Sequence, residues 1–265
     1  MTSRLLYQLI TKLPIGKRTA LKIISVFFPI KEFITVQVGN VFLTLDLSEV
    51  LDREYLLGRY DRDELKFLEN AMRSGGVFVD IGANQGFYSL TMAKKFPNAR
   101  IVAFEPDPYS ISKFLVNMKN NNIVNIDLIE KGVSDKNESL DLMINTSGNR
   151  GGNSVVLTQT GHTNSNKETV IKINCETLRD TVMRCRLSYI SAMKIDIEGF
   201  EYPVLKKFFE EVSVSLWPKR IVLEYFQHVD RLVGGSSVRL LEEKGYKTFK
   251  IIGQNYLMEL DCSRK

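Results

Sequence analysis

The sequence predicts an α/β fold: a mostly parallel sheet with helices on both faces. Three observations carry that expectation. Short apolar runs alternate with helix-length segments from Val77 to Glu130, in the order βαβαβ, which demands right-handed crossovers and a parallel sheet. The run Val77-Phe78-Val79-Asp80-Ile81 ends in an acid and a glycine-spaced turn, Gly82-Ala83-Asn84-Gln85-Gly86. About 20 residues on, a second apolar run ends at Glu105, where an α/β nucleotide fold holds a ribose.

Composition sets the frame. The 265 residues suffice for one large domain, or for one domain with an appendage. Net charge is +5, a mild excess that does not by itself indicate nucleic acid. Cys175, Cys185 and Cys262 show no metal spacing, and with no signal peptide expected they read as free thiols in a reducing, cytoplasmic setting. No apolar run reaches the length of a membrane span.

Taken in order, Leu5, Leu6, Leu9, Ile10 and Leu13 recur at helical spacing, and a short basic amphipathic piece, Lys17 to Phe28, follows. Lys22 interrupts its apolar run, which argues against a signal peptide. These helices fit packing on the domain or on a partner subunit, or lying on a membrane surface as a peripheral contact. Ile34 to Asp46 alternates around Gly39-Asn40 and predicts a hairpin. Residues 1–58 are read as a helical and hairpin appendage, with the main domain over 59–265.

Asp61 to Arg73 predicts a helix with Leu65, Leu68 and Met72 on one face, closed by Ser74-Gly75-Gly76. The central strand and its turn come next. Gly82 and Gly86 allow a sharp turn lying close to a ligand. A helix from Gly86 ends at Pro97-Asn98, strand 100–105 follows, and Pro108 suits the first position of a helix reaching Asn121. Ile126 to Glu130 is the third strand. Ser139–Asn145 and Thr169–Asn174 predict two more, flanking a polar glycine-rich stretch at 146–154 that fits either a substrate lid or a solvated loop.

Lys194-Ile195-Asp196-Ile197-Glu198 closes another strand, expected beside the Asp80 strand. Its three ionisable groups alternate and can share one direction. Either they serve a site or they form a local salt bridge with helix-start acids. Arg220 to Glu224 is a further strand ending in an acid, with His228 just beyond; a lone histidine is more often a surface or packing residue than a base. A helix near Val238–Lys244 and an antiparallel edge pair, Tyr246–Ile252 and Tyr256–Leu260, complete the chain.

Several of these motifs together resemble the FkbM family of S-adenosylmethionine-dependent methyltransferases. The matching residues are Asp80 to Gly86, Glu105-Pro106-Asp107-Pro108, Leu115 with Asn117 and Asn122, Gly152-Asn153-Ser154, Thr177-Leu178 with Asp180, and Lys194 to Glu201. The last is the most specific, and residues before about 50 lie outside the likeness. The resemblance implies a class I methyltransferase (Rossmann-like) sheet of seven strands, one antiparallel. It implies that Glu105, with Pro106 behind it, holds the cofactor ribose, and that Gly82, Asn84 and Gly86 pass beneath the methionine portion. Asp80 would organise that turn and the amino group, and Val133 and Ser134 would flank the adenine. It also implies O-methylation of a hydroxyl on a sugar, glycolipid or similar small acceptor.

Methyl transfer needs the acceptor oxygen in line with the sulfur, and a base or metal to free it of its proton. Asp196 and Glu198 are the leading acids, with Glu224 and His228 behind them and Lys194 holding one acid ionised. A divalent metal on Asp196 and a second acid is compatible with the spacing, which does not establish it. Three other readings compete. An NAD-dependent oxidoreductase would have glycine where Asn84 stands. A nucleic-acid methyltransferase would show an Asp/Asn-Pro-Pro-Tyr segment at Asp196 and basic runs with aromatics. A non-catalytic binding protein would not need intact acids at both motifs. The sequence does not reveal oligomeric state.

Overall fold

The structure is a computed structural model, which describes residues 33–72, 75–145, 154–155 and 168–261. The helices expected before residue 29 and most of the 146–154 stretch lie outside them. Strands are β1 Phe33–Val38, β2 Val41–Asp46, β3 Val77–Ile81, β4 Arg100–Phe104, β5 Ile126–Ile129, β6 Gly132–Ser134, β7 Glu138–Asn145, β8 Ser154–Val155, β9 Glu168–Thr177, β10 Ala192–Ile195, β11 Arg220–Glu224, β12 Tyr246–Ile252 and β13 Asn255–Leu260. Helices are α1 Val50–Leu56, α2 Arg62–Glu69, α3 Phe87–Lys95, α4 Pro108–Asn120, α5 Leu178–Arg184, α6 Glu201–Glu211, α7 Asp230–Val233 and α8 Ser237–Glu243.

Seven strands form the main sheet in the order β12-β13-β11-β10-β3-β4-β5. β13 runs antiparallel to both its neighbours, and the pairings among β11, β10, β3, β4 and β5 are all parallel. The expected architecture is therefore present. β10 lies beside β3, with Lys194 registered on Asp80.

Alternation along the strands explains the two-layered core. Phe78, Ile101, Ala103, Ala192 and Val222 point to one face, with Leu90 of α3 and Phe114 of α4. Val79, Ile81, Val102, Phe104, Met193 and Ile221 point to the other, with Val182 of α5 and Leu205 and Phe208 of α6. Each fully buried side chain of this size contributes roughly 1.5–3 kcal/mol. Helix starts follow local chemistry: Asp107 accepts from Tyr109 N at 3.2 Å ahead of Pro108, and Thr177 accepts from Asp180 N at 3.1 Å.

The β1–β2 hairpin packs directly onto the first face. Val41, Leu43 and Leu45 are buried in the same apolar cluster as Phe78 and Leu90. Asn117 of α4 and Asn121 just past its end accept from Thr44 N at 2.7 Å and Phe42 N at 2.8 Å. α1, which follows, was not legible in the sequence. A second sheet, β6-β9-β7-β8, stands apart from the main one and has its own small core of Leu142, Ile144, Ile173 and Cys175. Among the described residues, no helix is long and apolar enough to cross a membrane.

Candidate active site

The carboxyl ends of β3, β4, β10 and β11 open onto one cavity of about 320 Å³, in the range of small-molecule sites. The turn after β3 forms its floor. Gly82 has φ +79, and a Cβ there would sit 1.9 Å from the Asp196 carbonyl oxygen. Only glycine lets the turn lie against the end of β10. Gly82 N and Ala83 N both donate to Phe104 O, which locks the turn onto β4 as well. Gly86 (φ +89) does not line the cavity; a Cβ there would strike the Phe114 ring at 2.3 Å, so its part is packing.

Asp80 is 1% exposed. Its Oδ2 accepts from Ser89 N at 3.1 Å and Ser89 Oγ at 2.6 Å. Its Oδ1 is buried without a partner among the described residues, on a side chain that lines the cavity. Burial raises its pKa, against the pull of Lys194. An unpaired buried carboxylate oxygen is costly and calls for a donor.

Glu105 stands one residue past β4. Its Oε2 accepts from Asn84 N at 2.7 Å and its Oε1 from Asp107 N at 2.8 Å. Asn84 reaches this geometry with φ +51, a conformation asparagine tolerates. Burial lifts the Glu105 carboxyl to about 7 even against those two N–H groups. Pro106 and Val133 line the same cavity. Ser134 does not; its hydroxyl donates to Glu138 at 2.8 Å and Asp135 at 3.2 Å.

Opposite lies the ionisable cluster. Lys194 Nζ is 2.7 Å from Asp196 Oδ2 and 5.0 Å from the Tyr88 ring centroid. Burial alone would discharge this lysine, but Asp196 and Asp80 hold its pKa above the ordinary value. Asp196 is itself kept low against burial, chiefly by Lys194 and by a hydrogen bond from Glu224. Glu224 is pushed up to about 10 by burial and the Asp196 charge, which makes it the protonated member of the pair. Glu198 is lifted to about 7 by burial and the same charge. Its backbone is left-handed, φ +55, an uncommon state for glutamate and one often found at functional sites. One carboxyl oxygen from each of Asp196, Glu198 and Glu224 lies within 4.8 Å of the others. His228 is exposed, edge-on to the Phe226 ring at 5.8 Å between centroids, and does not line the cavity.

Other lining residues gave no usable signal in the sequence. Tyr88 donates to Glu64 at 2.6 Å and to Asp61 at 3.1 Å. Glu64 is a buried acid on the apolar face of α2, which periodicity alone reads as an error. Asn255 donates to it at 2.8 Å. Leu142 and Ile173 reach the cavity from the second sheet. Seven carboxyl side chains line this one cavity (Glu54, Asp61, Asp80, Glu105, Asp196, Glu198, Glu224) against Lys131 and Lys194. The cavity is thus acidic in a protein of net charge +5.

Comparison with known proteins shows the family. The chain is 31% identical over 143 residues to "Methyltransferase 1" of Beauveria bassiana (strain ARSEF 2860), covering 48% of this chain and 56% of that protein. It is 30% identical over 203 residues to "Methyltransferase sdnD" of Sordaria araneosa, covering 65% of this chain and 74% of that one. The match thus spans little more than half the length of the first relative. Among solved structures, an rRNA methylase from Streptococcus thermophilus aligns with TM-score 0.43 at 12% identity, over 75% of this chain and 95% of that one. A precorrin-6y C5,15-methyltransferase from Geobacter metallireducens GS-15 aligns with TM-score 0.41 at 18% identity, over 74% and 83%. The family profile described as "Methyltransferase FkbM domain" matches residues 80–248, from the acid that ends β3 to the middle of β12. The chain belongs to the FkbM methyltransferase family.

Proposed function

We propose that this protein is an S-adenosylmethionine-dependent methyltransferase that methylates a hydroxyl on a sugar, glycolipid or similar small acceptor. The single observation that carries the reading is the unpaired, buried Asp80 Oδ1 at the cavity. A cationic amino group is the donor it lacks. The close approach at Gly82, which any side chain would fill, and the Glu105 carboxylate on the neighbouring strand support the same cofactor. The acidic lining suits a ligand with positive charge and disfavours anionic acceptors.

S-adenosylmethionine, when bound, supplies an electrophilic methyl group on sulfur. The chain's own residues do the rest. Glu105, backed by Pro106, accepts the ribose hydroxyls. Asp80 takes the amino group, and the turn of Gly82 and Asn84 supports the methionine portion, with Gly86 packing that turn on α4. Val133, with Ser134 behind it, flanks the base. Glu198 takes the acceptor proton, because a carboxyl near 7 suits a general base best. Asp196 and the protonated Glu224 orient the hydroxyl, and Lys194 keeps Asp196 charged. His228 has no contact role in this scheme. Residues 59–265 form the methyltransferase domain. Within residues 1–58, α1 walls the cavity on one side.

One observation favours a second reading. The clustered oxygens of Asp196, Glu198 and Glu224 could be bridged by a divalent cation. Exhaustive EDTA treatment, with magnesium added back, separates the two: the base reading expects full activity in EDTA. The proposal as a whole is tested by calorimetry with S-adenosylhomocysteine, then labelled cofactor with extracted glycans and lipids, read by mass spectrometry. Failure of wild-type protein to bind the product would overturn it.

A further inference from the structure

The family match begins at Asp80, yet part of the cavity wall comes from before it. Val50, Leu51, Glu54 and Tyr55, all on α1, line the cavity. A single carboxylate joins this helix to the glycine turn. Asp52 is 1% exposed. One of its oxygens accepts from Gln85 Nε2; the other accepts from Asp46 N at 2.5 Å and pairs with Lys113 of α4. Gln85 is likewise 1% exposed and sits inside the turn. Its backbone oxygen accepts from Asn117 Nδ2 at 3.1 Å, and the Asn117 oxygen accepts from Thr44 N in β2. The preceding residue, Asn84, is tied through its N–H to Glu105. Within two residues the turn is therefore fastened to α1, to the hairpin and to the acid on β4.

This fastening is not what stability alone would select. Gln85 Oε1 is buried with no partner among the described residues, a deficit an apolar side chain of the same length would remove. A buried ion pair such as Asp52–Lys113 is often no better than apolar residues of equal volume. Both polar groups are kept where they link the turn to a wall of the cavity.

We propose that Gln85 and Asp52 are positioning residues that make the glycine turn and the α1 wall move as one unit. The inference rests on the methyltransferase reading, in that the ligand of the turn is taken to be the cofactor. Filling the turn then orders α1, and the acceptor wall is complete only when cofactor is present. That wall comes from α1, which lies before the family's matched region.

The test uses the full chain and S-adenosylhomocysteine. Binding to wild-type protein is expected to slow amide hydrogen exchange in residues 50–56. Gln85→Leu leaves the Asp52–Lys113 pair intact, so it is expected to fold. It should bind the ligand five- to twentyfold more weakly and, even when saturated, show no added protection of 50–56. Leu43→Ala, buried in the hairpin core, serves as the structural control: it should lower the melting temperature more than Gln85→Leu does, yet keep the ligand-induced protection. Gln85→Leu protein with affinity within twofold of wild type and normal protection overturns the inference alone. So does loss of protection in Leu43→Ala, since that would make the effect one of general stability. Wild-type protein that binds no ligand at all overturns the methyltransferase reading beneath it.

Discussion

Lys194 stands opposite Asp80 in the β10–β3 ladder, a buried cation facing a buried acid on adjacent strands. The lysine also reaches Asp196 at 2.7 Å. Its charge lowers the pKa of both acids against the upward push of burial. Lys194→Met strands both, and breaking one partner of such a buried group typically costs about 3–5 kcal/mol. Urea unfolding should show a loss at the lower end of that range, because Asp196 is partly exposed. An unchanged midpoint would mean that the two acids are solvated.

Asp196 is held low and Glu224 is pushed up, so Glu224 is the protonated member of the pair at neutral pH. Glu224→Gln replaces a protonated carboxyl with an amide that still donates, so kcat should stay within about threefold of wild type. Asp196→Asn removes the charged acceptor and should lower kcat about 100-fold or more, in the range general acid–base groups supply. Equal losses in the two variants would contradict this assignment.

Glu198 is protonated below about pH 7. As the candidate base it works only when ionised, so with cofactor saturating at every pH, kcat/KM for the acceptor should climb tenfold per pH unit below 7 and level off above it. Glu198→Gln should abolish that limb and leave a low, flat profile. The same shift has a consequence for stability. The folded-state values of Glu105, Glu198 and Glu201 are all raised to about 7 from 4.5. The folded state therefore holds more protons than the unfolded one across that window, and stability falls as pH rises through it. The apoprotein should melt at a higher temperature at pH 5.5 than at pH 7.5.

If Glu105 holds the ribose as proposed, its raised carboxyl pKa makes cofactor affinity depend on pH. Ribose hydroxyls donate best to the ionised carboxylate, so binding below pH 7 must first remove a proton. Calorimetric affinity for S-adenosylhomocysteine should rise from pH 6 to pH 8 and then level. Glu105→Gln should weaken binding and flatten this dependence; a wild-type curve in the variant would free the ribose from Glu105.

Gly82→Ala tests the floor of the cavity. Its Cβ would overlap a backbone oxygen at 1.9 Å, which no rotamer can relieve, and alanine resists φ +79 besides. Cofactor binding should be lost and the melting temperature lowered. Gly58→Ala provides the contrast: its φ of +71 is strained too, but nothing lies within 4 Å, so affinity should persist.

Much of this was readable in the chain itself. Apolar runs ending near Asp80, Glu105, Asp196 and Glu224 marked four central strands and the ends that open on the cavity, because a parallel strand buried on both faces leaves an unbroken apolar signature. The turn at Gly39-Asn40 gave the hairpin. What stayed hidden was decided by tertiary contacts. Helix α1 is short, and Asp52 on its buried side makes sense only with Lys113 and Gln85 beside it. Glu64 needed Tyr88 and Asn255 to be acceptable in the core. The tiny strand β6, three residues long, has no periodicity to detect.

Leu142 and Ile173 belong to strands that share no hydrogen-bond ladder with the seven-stranded sheet. Substitutions there can reshape what the pocket admits without shifting the register of β3, β4 or β10. The small sheet is thus a place where the mouth of the cavity can be re-cut while the strand ends that carry the acids keep their positions.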